Sequence, residues 1–314
     1  MKLDFVRGHM GGNLIILLRG DQIPEGRELD TAVKLMGPNY LYAHEAGILY
    51  PGEKAGEIDV KIVEPTVPCF ISACGGFTQV LGVALVETEL GSLFGLETGG
   101  SMVEALLNTG CGPTALTITT DRQKALKVRT NMDCFVKECY ASGVGPLRYG
   151  DLEVMRAGKF LVINADHFLA VYPDLDFKSW DKRTRELLSA IQQDFMAKTG
   201  EVEPNVAVYD WHPEHTGDLR IIFPHYVQDD FFEPSCGTGS VALGLAVLAS
   251  GELDHLQPTN EGLLTLNLES GGGIELGGPD ITALEIKIGS QEVKSAVFSH
   301  SRVEITSIGI ALLD

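Results

Sequence analysis

Two segments of this chain are too uniformly apolar to lie on a surface, and each is a version of the other. Residues from about Thr78 to Val86 and from about Ser240 to Leu248 have the length of helices and almost no charge in their bodies. A helix that is apolar on every side must be covered on every side. The same device opens both. Cys74-Gly75-Gly76-Phe77-Thr78-Gln79-Val80-Leu81-Gly82-Val83-Ala84 aligns with Cys236-Gly237-Thr238-Gly239-Ser240-Val241-Ala242-Leu243-Gly244-Leu245-Ala246, with a cysteine, a glycine, a hydroxyl residue, Leu-Gly and an alanine at the same offsets. The two cysteines stand 162 residues apart in a chain of 314. Six matched positions in eleven make chance recurrence of Cys-Gly before an apolar helix the weaker reading. A repeat at half the chain length predicts two similar domains, each with a cysteine at the head of a buried helix.

Most of the remaining sequence reads as short strands closed by turns. Leu14–Leu18, Phe160–Ile163, Asn205–Tyr209 and Ala283–Ile288 are rich in β-branched and aliphatic residues. Gly271-Gly272-Gly273 and Gly277-Gly278-Pro279 bracket a strand-like Ile274-Glu275-Leu276. Apolar residues at helical spacing mark Leu29–Met36, stopped by Gly37-Pro38, and Leu187–Phe195, stopped by Gly200. The chain is expected to be α+β, dominated by antiparallel strands, with a curled sheet wrapped around a buried helix in each half.

Composition narrows the function. With 44% hydrophobic residues the chain is no disordered segment, and 24 basic against 43 acidic residues give a net charge of −19. Such a surface repels phosphate backbones and anionic membranes, so neither nucleic acid nor membrane is an expected partner. The longest apolar stretch, Val241 to Ala249, falls far short of the ~20 residues of a membrane-spanning helix. The first residues lack the apolar core of a signal peptide. A soluble, cytoplasmic protein is expected, and six cysteines in a reducing compartment default to free thiols. Cys69, Cys134 and Cys139 read as free core thiols. Cys111, followed by Gly112-Pro113 and a strand-like stretch, has no apolar helix to activate it and reads as structural. His212-Pro213-Glu214-His215 has metal-ligating types, but its proline and the following Thr216-Gly217-Asp218 make it a hairpin turn. Asp166-His167 reads as an acid–base pair or, preferably, as a structural histidine at a strand start.

Cys74 and Cys236 stand apart from these. A helix N-terminus presents unpaired N–H groups and about half a positive charge, which favours a thiolate. A carboxylate approaching both helix heads would take hydrogen bonds from the amides of Gly75, Gly76, Gly237 and Thr238. A thiolate on one face of an α-carbon can remove its proton while a thiol on the other face delivers one. The result is inversion, and both helix dipoles stabilise the charge that develops. This chemistry needs no metal or pyridoxal cofactor, and none is expected.

At these residues the sequence resembles the diaminopimelate epimerase and proline racemase superfamily. Glu233-Pro234-Ser235-Cys236-Gly237-Thr238-Gly239-Ser240 is similar to the second cysteine motif of that superfamily, and Ala73-Cys74-Gly75-Gly76 to the first. His9-Met10-Gly11-Gly12-Asn13 resembles the glycine-rich opening of its members. Asn164-Ala165-Asp166-His167-Phe168 sits where the epimerases have Asn-Pro-His, and Asn205-Val206 resembles a strand that supplies a substrate ligand. The resemblance implies two pseudo-symmetric domains, residues 1–150 with Cys74 and 151–298 with Cys236, with 299–314 returning to complete the first. It implies a cofactor-independent racemase or epimerase of an amino acid using the two thiols, with Asn13, Asn164 and Asn205 contacting substrate. Asn13 and Asn205 read equally as turn or cap residues. It leaves open whether two chains pair.

The departures concern substrate. Pro65 stands where diaminopimelate epimerases carry an asparagine, and Phe223-Pro224-His225-Tyr226 replaces their Glu-Arg-Gly segment. The side-chain pocket, Pro65–Ile71 with Phe223–Phe232, is therefore expected to take a less polar distal group, while His225 and Tyr226 read equally as ordinary strand residues. Glu233-Pro234 and Gly239-Ser240 also echo the phenazine-biosynthesis branch, which shifts a proton without the cysteine pair. The alternatives are a double-bond isomerase of an unsaturated organic acid and a non-catalytic amino-acid sensor. Binding alone does not require two thiols.

Overall fold

A computed structural model of the chain describes residues 1–64, 68–175, 182–199, 205–224, 232–233, 235–252, 258–259, 261–270, 280–290 and 292–313. The strand-like 274–276 with its flanking glycines, Gly200, Pro65, His225 and Tyr226 lie outside the described residues. In chain order the elements begin with β1 (Lys2–Met10), β2 (Asn13–Arg19), α1 (Glu28–Met36), β3 (Glu45–Pro51), β4 (Glu57–Glu64), β5 (Cys69–Ile71), α2 (Gly75–Glu87) and α3 (Leu90–Leu93). Next come β6 (Met102–Thr109), β7 (Gly112–Asp121), β8 (Lys124–Asn131), α4 (Asp133–Ser142), β9 (Val144–Tyr149), β10 (Leu152–Ala157), β11 (Phe160–Asn164) and α5 (Ala165–Val171). The chain continues through α6 (Lys182–Thr199), β12 (Asn205–Asp210), β13 (Leu219–Pro224), β14 (Phe232–Glu233) and α7 (Gly237–Ser250). It ends with β15 (Leu263–Ser270), β16 (Ile281–Gly289), β17 (Glu292–His300) and β18 (Val303–Leu312). The protein is mixed α+β, and it divides into two compact units, residues 1–134 with 297–314, and residues 135–296.

In the first unit β18 pairs antiparallel with β1 along its whole length, and β1 continues the antiparallel run to β2. The β2–β3 and β4–β6 pairings are parallel; β3–β4, β6–β7, β7–β8 and β8–β17 are antiparallel. Side chains alternate across a strand, and β2 uses both faces. Ile15 and Leu17 join the cluster around α2, whereas Ile16 and Leu18 join a second cluster with Ala32, Leu35 and Met36 of α1. Residues 75–86 of α2 are all buried, against β1, β2, β3, β7, β8 and β18. Its two buried polar side chains are satisfied, as burial demands. Thr78 donates to the Gly75 carbonyl at 2.8 Å, and Gln79 donates to Thr130 of β8 at 2.9 Å while accepting the His300 N–H at 3.2 Å.

In the second unit β9, β10 and β11 run antiparallel, β11–β12 is parallel, β12–β13 antiparallel, β13–β15 parallel and β15–β16 antiparallel. Residues 237–247 of α7 are buried, against β9, β10, β11, β12 and β16. The opposite face of these strands carries α5 and α6 through Phe168, Leu188 and Ile191.

Two expectations are corrected. His167 belongs to the first turn of α5 and not to a strand start, because Asn164 caps that helix by accepting the Asp166 N–H at 2.8 Å. Cys134 is not a free thiol: it forms a disulfide with Cys111, while Cys69, Cys74, Cys139 and Cys236 are free. The turn between β6 and β7 carries Cys111 to the start of α4, a proximity across 23 positions that spacing alone could not reveal. The default of a free thiol therefore fails for Cys111 as well.

Among the described residues no helix is long and apolar enough to cross a membrane.

Candidate active site

Cys74 and Cys236 are both N-caps, in the same way. Each has extended backbone, and each sulfur accepts the amide N–H three residues on: Phe77 N–H at 3.2 Å for Cys74 and Gly239 N–H at 3.4 Å for Cys236. A cysteine here takes the place that serine or aspartate usually fills, satisfying one of the four orphan donors of a helix start. The positive end of the dipole then favours negative charge on sulfur. Cys74 is 6% exposed and Cys236 8%, so each thiol is screened from bulk water. Cys236 Sγ also lies 3.3 Å from the Thr238 hydroxyl.

Close backbone approach explains the glycines that follow. A Cβ on Gly76 would stand 3.3 Å from the Asn13 amide nitrogen, and one on Gly239 would collide with the Phe223 ring. Gly75, Gly76, Gly237 and Thr238 form the first turns of α2 and α7, where amides have no intrahelical acceptor.

Asn13 is 1% exposed, in the first unit beside Cys74. Its amide nitrogen donates to Glu45 Oε2 at 3.3 Å, and its oxygen lies 3.1 Å from His44 Nδ1. Glu45, at the head of β3, is the group that sequence reasoning missed. It is buried, it accepts a hydrogen bond from the Cys74 thiol, and its carboxyl is raised from 4.5 to about 7. Burial is the largest cause, followed by the charge of Glu64; the hydrogen bonds from Cys74 and Asn13 act in the opposite sense. The β3–β4 register pairs Ala46 with Val63, so Glu45 and Glu64 are the next opposed pair. Like charges in that position repel, and a proton on Glu45 relieves it. The available signal was this register, which needs the strand pairing to be known.

In the second unit the structure separates two of the asparagines. Asn205 opens β12 and is exposed. Val208 pairs with Ile222 and Phe223 with Glu233, so Asn205 lies at the sheet end that leads into Cys236. Asn164 lies at the other end of α7. It donates to Glu252 at 3.0 Å, and Glu252 also accepts from Tyr209 and Trp211, each at 2.8 Å. Fourteen helical residues separate that cluster from Cys236, about 21 Å at 1.5 Å per residue. The structure thus does not bring Asn164 to the thiol.

Among the described residues no group of three or more ligating side chains gathers to hold a metal. His212 instead engages Asp210 at 3.0 Å and Glu214 engages Arg220 at 2.8 Å. These contacts lie on the connection between the antiparallel β12 and β13, the hairpin read from the sequence.

No protein-family profile matches the sequence, and no curated protein matches it. Solved structures do. A hydroxyproline epimerase from Agrobacterium vitis, with trans-4-hydroxy-L-proline bound, is similar at a TM-score of 0.66 and 12% identity, over 100% of this chain and 93% of that one. A methylitaconate-delta-isomerase matches at 0.60 and 12%, over 99% and 95%. A PhzF-family phenazine biosynthesis protein from Bacillus anthracis matches at 0.60 and 12%, over the whole of both chains. At such identities the likeness is one of fold. This chain has the fold of the diaminopimelate epimerase and proline racemase superfamily.

Proposed function

We propose that this protein is a cofactor-independent isomerase that inverts the α-carbon of an amino acid, with Cys74 and Cys236 as its two bases. The observation that carries this reading is the duplicated cap. Two thiols, those of Cys74 and Cys236, each take an i+3 amide at the head of a buried, glycine-opened helix. We read the two units as pseudo-symmetric copies of one design, a curled sheet around a central helix.

In the reaction, one thiolate removes the α-proton and the opposite thiol returns one. The first-turn amides of Gly75, Gly76, Gly237 and Thr238 hold the substrate carboxylate, and the helix dipoles stabilise the negative charge that develops. Glu45 accepts the Cys74 proton, producing the thiolate; a carboxyl near 7 is matched to that task. Asn13 fixes the Glu45 carboxyl, and Asn205 stands at the substrate side of the second unit. Asn164 keeps its substrate role only if the site reaches the far end of α7, so we give it to the Glu252 cluster.

The test is deuterium incorporation. Reduced protein is incubated in D2O with L-amino acids, including proline, 4-hydroxyproline and diaminopimelate, and α-deuteration and the opposite configuration are read by mass spectrometry and chiral chromatography. One amino acid should gain deuterium and invert, and both Cys74→Ala and Cys236→Ala should abolish inversion. Undiminished racemisation in either alanine variant defeats the mechanism.

A second reading, a double-bond isomerase of an unsaturated organic acid, is favoured by Glu45. A buried carboxyl that titrates near neutrality can move a proton along an allylic system without a second thiol. Deuterium entering an itaconate- or aconitate-like acid, with no amino acid exchanging, selects it.

A further inference from the structure

A second pair of sulfurs lies in the first unit, outside the proposed chemistry. Cys111 sits in the two-residue turn between β6 and β7, closed by the Thr109–Gly112 pair. It is bridged to Cys134 in the first turn of α4, with the two Cα atoms 5.7 Å apart, inside the common range for a disulfide. Both residues are half-buried, so a small thiol can reach them. Each sulfur has a hydroxyl beside it: Thr109 Oγ1 is 3.3 Å from Cys111 Sγ, and Thr114 Oγ1 is 3.4 Å from Cys134 Sγ. The Thr109 hydroxyl donates to the Gly112 carbonyl at 2.9 Å, so Thr114 is the donor placed to stabilise a departing Cys134 thiolate and so ease thiol–disulfide exchange. Cys139 provides the contrast five residues on. Burial pushes its thiol up to about 12, which leaves it inert.

The turn that carries Cys111 is also seated on the lead-in to the candidate active-site thiol. The Cys111 N–H donates to the Ser72 carbonyl at 3.1 Å. Gly110 approaches Ser72 so closely that a Cβ on it would be 2.9 Å from the Ser72 Cα. Ser72 and Ala73 are the whole connection from β5 to Cys74. The bridge therefore anchors, through one hairpin tip, the segment that places Cys74 at the head of α2.

We propose that Cys111 and Cys134 are a reversible dithiol–disulfide site whose opening loosens the Ser72–Cys74 segment and raises the accessibility of Cys74. Opening consumes two electrons and two protons from a low-molecular-weight thiol. One thiolate attacks a bridge sulfur, giving a mixed disulfide and releasing the other cysteine. A second thiolate then attacks the small-molecule sulfur of that mixed disulfide and releases the remaining cysteine, leaving two protein thiols and one small-molecule disulfide. Closure is the reverse, with that disulfide as oxidant. The inference needs Cys74 only as a thiol and does not depend on which reaction the protein catalyses.

The experiment equilibrates full-length protein with reduced and oxidised glutathione at graded ratios, quenches by alkylation and reads every cysteine by peptide mass spectrometry. The Cys111–Cys134 peptide pair should pass from bridged to two alkylated thiols across the series, with Cys139 unresponsive. In parallel, iodoacetamide should label Cys74 of native protein severalfold faster in the opened form, scored on molecules in which Cys74 is a thiol. Cys111→Ser with Cys134→Ser should label Cys74 at the opened rate at every ratio. The proposal is overturned if the pair reads as free thiols even at the oxidising end, or if the bridge persists at the reducing end. It is equally overturned if Cys74 labels at one rate in both forms. Should the double variant fail to fold, the comparison within the natural sequence decides alone. Switching thiols in a protein that exchanges no substrate would defeat the proposed reaction and leave this site standing.

Discussion

Glu45 is where physical chemistry at the residue scale makes its firmest demand. Its carboxyl binds a proton more tightly in the folded chain, about 7 against 4.5. The stabilisation that goes with this is complete below pH 4.5 and is lost as pH rises through 7. Glu45→Gln keeps the shape and an oxygen for the Asn13 and Cys74 donors while removing the titration. The stability difference between the natural protein and the variant should therefore shift in favour of the variant between pH 5 and pH 8, by about 1–3 kcal/mol. Urea unfolding of both proteins at the two pH values measures it. Other carboxylates move both proteins alike, so parallel curves would mean that Glu45 is not held protonated by its burial. In activity, the same variant should lose the limb of the pH profile near neutrality together with much of kcat, because the Cys74 proton then has no acceptor.

At the scale of elements, the two buried helices explain why their sequences repeat. The cysteine caps, a first-turn glycine (Gly76 in one helix, Gly239 in the other) permits the close approach of the helix head, and the Leu-Gly pair serves packing. A Cβ on Gly82 would lie 2.5 Å from Val128 of β8, and one on Gly244 would lie 2.8 Å from Leu284 of β16. In both units a strand crosses the helix at that glycine. Gly82→Ala gains helix propensity of about 1 kcal/mol, but the clash with a β-branched side chain costs about 1–3 kcal/mol, so the net effect should be destabilising. Val128→Ala opens the space, and the double variant Gly82→Ala with Val128→Ala should be more stable than the sum of the single changes, measured by a denaturant double-mutant cycle. Simple additivity would mean that the strand does not press on Gly82. These elements were legible because their constraint is local: uniform apolarity, a cap and a glycine. Four strands expected from β-branched runs and two expected helices are in place. What the sequence hid depends on pairing. The Glu45–Glu64 opposition, the Cys111–Cys134 bridge and the distance of Asn164 from Cys236 all follow from which strands and turns become neighbours, and α5 replaced an expected strand because Asn164 caps it.

At the scale of the whole molecule, the first unit is not contiguous in sequence. Its β1 is hydrogen-bonded to β18 over nine residues, Lys2 opposite Leu312 through Met10 opposite Val303. Ala311 and Leu313 are buried in the cluster that holds Leu3, Ile16 and Leu18. Removing residues 297–314 therefore takes away the pairing partner of β1 and part of the cover over α2, which β18 contacts. The second unit, residues 135–296, keeps all its strands except β17, of which residues 292–296 remain. A chain ending at Ala296 should accordingly lose the burial of Cys74 and keep that of Cys236. Iodoacetamide should then label Cys74 at the rate of an unstructured peptide while Cys236 remains slow, read peptide by peptide at one reagent concentration. Equal protection of both thiols would mean that α2 is held by β2, β3, β7 and β8 alone. Equal exposure would mean that the second unit draws its stability from the first. The asymmetric outcome carries a consequence for synthesis: the second unit can form as it emerges, but the first waits for its last strand, and Cys74 stays reactive until that strand arrives.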